Sequence, residues 1–249
     1  MKVVEFLGAP GSGKSTLAAG LRQALPGAAS LPEAVHAAIG ARGEDGVARI
    51  AARLTRSSGS RLWEGAYARS TDRFSSLARF TSAHPETMAA VLETQRQRTD
   101  RDLHPEVTLG WVLNLMARYQ LAVEDSRYRW LVVDEGFAQR GVALLAGGFD
   151  EQADLRLVDS YVEAVPATEA VVAVETPVDV CQERLDRGGW SERLAGLGAA
   201  QRREFLEAAT LLSARVATAL EEVGRRVIWV SGTTPPPDSI TQIAATLTS

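Results

Sequence analysis

The segment Gly8-Ala9-Pro10-Gly11-Ser12-Gly13-Lys14-Ser15 constrains this chain more than any other. It fits G-x-x-x-x-G-K-[ST], the Walker A pattern, whose glycines let the backbone curl until successive N–H groups point inward at phosphate oxygens. Such a loop works in one setting, between the end of a buried strand and the start of a helix whose partial positive charge faces the same anion. The flanks supply both. Lys2 to Leu7 (KVVEFL) is a β-branched and aromatic run stopped by the glycines, after which Leu17, Leu21 and Leu25 recur every fourth residue as far as Pro26-Gly27. A chance match in a Gly- and Ala-rich chain would lack that context. In this setting Gly8 to Thr16 form a phosphate cradle, Lys14 reaches the β- and γ-phosphates, and the Ser15 hydroxyl ligates Mg²⁺. ATP and magnesium are the cofactors the motif implies.

The remainder alternates in a way that suits the loop. Ala28 to Leu31 reads as a weak second strand, and Pro32-Glu33 opens a helix with proline at its first position. From about 34 to 128 no strand is legible. Several helices are, with breaks near 57–60, 84–85 and 104–105, the last helix carrying Leu109, Val112, Leu113, Met116 and Val123 on its apolar face. Trp130 to Val133 and Ala170 to Val174 are short buried strands, and Thr176-Pro177 caps a helix containing Cys181 and Leu185. A long helix from Ala199 to Val223, a strand from Arg226 to Val230 and a helix from Ser239 to Leu247 complete the chain. This is an α/β pattern. It predicts a three-layer P-loop NTPase fold with a mainly five-stranded parallel sheet, a helical insertion before the third strand, and one domain over 1–249.

Composition removes several classes. No stretch reaches the roughly 18 consecutive apolar residues of a membrane helix. The apolar N-terminus is interrupted at Gly8, so it does not read as a leader, and a single cysteine, Cys181, fits a reducing cytoplasm. A net charge of −4 argues against nucleic acid held by a general basic field. His36, His84 and His104 form no H-x-x-x-H or H-E-x-x-H array for a metal. The only asparagine is Asn114, so the N-K-x-D motif of a GTPase is missing. The sequence leaves room for a homodimer.

Carboxylates narrow the chemistry. A P-loop site needs one near magnesium at the end of a neighbouring strand, and Asp134, directly after WLVV, is placed for it, with Glu135 beside it; a solvated pair at a strand end is the plainer alternative. Glu33 follows the second strand and could take the proton of an attacking hydroxyl, or serve only the dipole of its helix. Arg69 and Arg73, one turn apart, could meet an anionic acceptor or face solvent. Trp63, Tyr67, Phe74 and Leu77 recur near helical spacing and read as core.

Taken together, the P-loop, Pro32-Glu33 after the second strand, the acidic strand end with Arg140 one turn on, and Arg184-x-x-Arg187 resemble the nucleoside and nucleotide kinase superfamily. Its deoxynucleoside and thymidylate kinases are the nearest members. The resemblance implies an ATP-dependent small-molecule kinase whose acceptor is a nucleoside, nucleotide or other small hydroxylated metabolite, recognised by the helical region of about 40–128. It implies Glu33 as general base, although deoxynucleoside kinases carry Glu-Pro where this chain has Pro32-Glu33-Ala34. It also implies an acceptor contact at Glu135, with Arg140 standing in for the arginine of a Glu-Arg-Ser motif. The stretch from Val174 through Arg184, Arg187 and Arg193 is similar to the superfamily's fourth strand and lid, about 184–196, whose arginines close over phosphates; a solvated basic helix face is the alternative. Ser231-Gly232-Thr233 resembles the loop that borders adenine. A P-loop alone does not specify kinase chemistry, so a regulatory ATPase without a small-molecule acceptor is the rival reading.

Overall fold

A computed structural model describes residues 1–55, 59–98, 105–124, 127–146 and 149–248. Five parallel strands form one sheet in the order β2-β3-β1-β4-β5: β1 (Lys2–Leu7), β2 (Ala28–Ser30), β3 (Trp130–Val133), β4 (Ala170–Glu175) and β5 (Val227–Ser231). β1 is central, with Val4 in register with Val132 on one side and Ala170 on the other. The strands read as unbroken apolar runs because both faces are covered. On one face Val4, Phe6, Val132, Val172 and Ile228 pack with Leu17 and Leu21 of α1 (Lys14–Ala24) and Ile243 and Leu247 of α13 (Pro236–Thr248). On the other, Val3, Leu7, Leu131, Val133 and Ala173 meet α2 (Leu31–Arg42), α7 (Pro105–Glu124), α8 (Phe137–Ala146), α9 (Glu151–Ala164) and α12 (Ala199–Glu222).

Between α2 and α7 the described residues add α3 (Gly46–Leu54), α4 (Arg61–Ala68), α5 (Thr71–Ala83) and α6 (Pro85–Arg98), the helical insertion expected before the third strand. After β4 come α10 (Val178–Gly188) and the short α11 (Glu192–Ala195). β1 connects through α1 to one side of the sheet, and the chain later crosses to the opposite side for β4. Such a switch leaves a crevice at the carboxyl ends of the central strands, where α/β proteins bind ligands. The glycine-rich loop lies there.

Three expectations are corrected. The second strand stops at Ser30, because the Ser30 hydroxyl accepts the Glu33 N–H and turns the chain into α2 with Leu31, so Pro32 is the second helical residue. α13 starts at Pro236, three residues ahead of the predicted Ser239, since a first-turn N–H has no helical partner to lose. Trp63 and Tyr67 are buried, but Phe74 is 63% exposed: the inner face of α5 runs instead through Asp72, Ser76 and Phe80. No helix among the described residues is long and apolar enough to cross a membrane.

Candidate nucleotide and acceptor site

The loop between β1 and α1 has most of its carbonyls engaged from within the protein. Lys14 Nζ donates to the Gly8 carbonyl at 2.7 Å and to the Ala9 carbonyl at 2.9 Å. Arg184 of α10 donates to the carbonyls of Gly11 and Ser12 at 3.2 and 3.1 Å, and Thr176 Oγ1 donates to the Ser12 carbonyl at 3.0 Å. Gly13 closes the loop at φ 102°, a left-handed conformation that favours glycine, and no side chain caps the helix that follows. The first amides of α1 are therefore left for an anion. Ser15 and Thr16 are exposed beside them. The same Arg184 donates to the Gly232 carbonyl at 2.8 Å. With Ser12, Gly13, Thr16, Thr233, Pro235 and Pro236 it lines a pocket of ≈ 360 Å³ against the loop.

Lys14 is 9% exposed, and burial pushes its ammonium down to about 8, while the negative charge of Glu135, Cys181 and Asp134 pulls it back up. The acidic turn after β3 thus lies within electrostatic reach of the loop lysine, with Asp134 and Glu135 both exposed. Glu135 accepts from Arg140 at 2.6 Å, and the Arg140 guanidinium sits 5.3 Å over the ring of Trp111. Ser15 and Asp134 offer the hard oxygen ligands that magnesium prefers.

Residues that sequence reasoning did not single out fix this turn. Gln139 Oε1 accepts the Gly8 N–H at 3.0 Å, linking α8 to the first residue of the loop. Glu5, in the middle of β1 and 2% exposed, accepts the Ala138 N–H at 3.0 Å. An acid between Val3 and Leu7 on a buried strand was a visible signal. Gln139 carried none, because its partner lies 131 residues away. Burial pushes the Glu5 carboxyl up to about 6, against the amides of Ala138 and Phe137, which pull it down. Since this value lies above the ordinary 4.5, the group favours the folded state fully below pH 4.5, and that contribution is lost as pH rises through 6. Glu5→Gln should remove it. The unfolding free energy of wild type minus that of Glu5→Gln is expected to fall by about 2 kcal/mol between pH 4.5 and 7, measured by urea denaturation. A flat difference would refute the assignment.

The other predicted residues fall elsewhere. Glu33 accepts from the Ser30 N–H and hydroxyl, each at 2.9 Å, and from Arg22 at 3.0 Å, so it closes a capping box and an ion pair at the start of α2. Arg69 and Arg73 donate to the carbonyls of Gly65 and Ala68 and satisfy the end of α4. Arg187 is exposed and paired with Glu183. Arg193 lies in α11, its side chain outside the described residues, as is His104. His36 meets Thr55 and the edge of Trp63, and no group of three or more His, Cys, Asp and Glu that could hold a metal ion occurs among the described residues.

A P-loop after the central strand of a 2-3-1-4-5 parallel sheet, with an acidic turn after the neighbouring strand, is a three-layer P-loop α/β fold. Solved structures of deoxyadenosine kinase from M. mycoides are similar over the whole chain. The one with dCMP and a flexible dCDP bound is 13% identical, covers 99% of this chain and 98% of its own, and has a TM-score of 0.52. The one with dATP bound is 14% identical, covers 100% of both chains, and has a TM-score of 0.51. At these identities the likeness is one of fold. The sequence matches no protein-family model and no curated protein.

Proposed function

We propose that this protein transfers the γ-phosphoryl group of Mg-ATP to a nucleoside, a nucleotide or a related small hydroxylated metabolite. One observation carries the reading: the phosphate loop, its carbonyls held by Lys14, Arg184 and Thr176, is tied through Gln139 to the helix that follows the Asp134–Glu135 turn, on a fold shared with deoxyadenosine kinase structures. The loop amides and Lys14 hold the phosphates, and the pocket formed by Arg184, Gly232 and Thr233 takes the adenine side of ATP. Magnesium, held by Ser15 and Asp134, would neutralise charge on the phosphate oxygens. Glu135, exposed after β3 and bonded to Arg140, is the base for the acceptor hydroxyl; Glu33 is held by the Ser30 N–H and hydroxyl as well as by an arginine, Arg22. Arg187 and Arg193 belong to a segment that closes over the phosphates during transfer.

The test is ADP release from Mg-ATP across nucleosides, nucleoside monophosphates, sugars and aminoglycoside-type alcohols. Acceptor-dependent release, lost in Lys14→Ala, supports the proposal and identifies the acceptor class. Release at one rate whatever the acceptor would replace it with an ATPase.

A further inference from the structure

Glu5 is the one carboxylate buried in the central strand, and stability does not explain it. Burying a charge among apolar groups is costly, and an apolar residue of similar volume is often neutral or better at such a position. Its surroundings instead point to the turn above it. Glu5 Oε2 accepts from Ala138 N, in the first turn of α8. Glu5 Oε1 has no hydrogen-bond partner among the described residues. Gly136 lies against the carboxylate so closely that a Cβ there would sit 2.2 Å from Glu5 Cδ. From the opposite side, Tyr161 Oη of α9 donates to the Phe137 carbonyl at 2.8 Å, so buried side chains hold both the N–H of one residue and the C=O of the other. Asp134 and Glu135 are the two residues immediately before this clamped backbone, and Gln139, immediately after it, is bonded to Gly8.

We propose that Glu5 is a positioning residue that fixes the Asp134–Glu135 turn at a set separation from the phosphate loop. It acts through the backbone of Gly136 to Ala138 and touches no reacting group. A strand side chain suits this work, because a central strand, bonded to a neighbour on each side, is a rigid platform. Its consequence for activity rests on the reading of that turn as the magnesium and acceptor side.

Two variants separate positioning from packing. Glu5→Met fills the space without an acceptor for Ala138 N, and Glu5→Gln restores an oxygen. Amide hydrogen exchange over residues 134–140 reads the turn directly, and binding of ATP with and without Mg²⁺ reads its effect on the site. In Glu5→Met, exchange in 134–140 should rise about tenfold, and the tightening of ATP by Mg²⁺ should fall by about the same factor. Metal-free ATP affinity and the unfolding midpoint should hold or improve. Glu5→Gln should recover most of both losses. Unchanged exchange in Glu5→Met overturns the proposal, as does a loss that follows a falling unfolding midpoint and is not recovered by Gln, which would make Glu5 merely structural. If the wild-type protein binds ATP without regard to Mg²⁺, the functional reading fails, while the exchange result still decides whether Glu5 sets the turn.

Discussion

Lys14→Ala is expected to lower phosphoryl transfer by at least about 10²–10³-fold while leaving the fold intact. Removing one preorganised charge from a site where charge develops costs roughly that much. Lys14 Nζ donates to the carbonyls of Gly8 and Ala9, which holds the side chain over the loop and leaves its third N–H for a phosphate oxygen. The variant loses these two bonds, but the loop keeps Arg184, Thr176 and Gln139. Its unfolding midpoint should therefore shift far less than its activity. A pH dependence accompanies this. Because the ammonium of Lys14 is held at about 8, and phosphate binds the charged form, ATP affinity should fall as pH rises past 8, up to tenfold per pH unit, until the bound-state value is reached. Calorimetric titration at fixed ionic strength would detect it, and Lys14→Ala should lack it. A wild-type affinity constant between pH 7 and 9.5 would remove Lys14 from the phosphate contact.

Gly136→Ala should damage the protein in two measurable ways. Its Cβ would stand 2.2 Å from Glu5 Cδ and 2.5 Å from Glu5 Cγ, well inside van der Waals contact. Glu5 is enclosed in the sheet and cannot swing aside, so the turn must lift. Overpacking of this kind costs about 1–3 kcal/mol. In a chain of this size that lowers the thermal midpoint by roughly 2–4 °C for each kcal/mol. A displacement of about 1 Å at a reacting geometry can cost on the order of 10²-fold in rate, so the loss of transfer should exceed what the stability change explains. Differential scanning calorimetry and steady-state kinetics on the same preparation check both. Wild-type values in both would show that the turn has room to spare.

What the sequence made legible follows the physics of each element. The strands could be placed because a parallel strand covered on both faces leaves an unbroken apolar run between punctuating residues, as in Trp130 to Val133. The phosphate loop was legible because its chemistry is local and contiguous. Phe74 was misplaced because α5 buries a polar face. Asp72 is 4% exposed and accepts the Glu44 and Asp45 N–H groups at 2.7 and 3.0 Å, so a hydrogen-bonded acid occupies the position that apolar periodicity would give to a hydrocarbon. The bonds that tie Arg184 to the carbonyls of Gly11, Ser12 and Gly232 join distant segments, and its spacing from Arg187 gave no sign of them. The contacts that set the acidic turn, Glu5 to Ala138 and Gly8 to Gln139, join residues more than 130 positions apart, and no spacing rule reaches that far.

The engaged carbonyls of the phosphate loop carry a kinetic implication. Lys14, Arg184 and Thr176 hold the loop, through bonds within the protein itself, in the curvature that a phosphate would otherwise have to impose. Little chain entropy then remains to be lost on capture. Nucleotide exchange in such a loop proceeds at nearly constant backbone shape, so arrival and departure can both be quick without any unfolding of the cradle between turnovers.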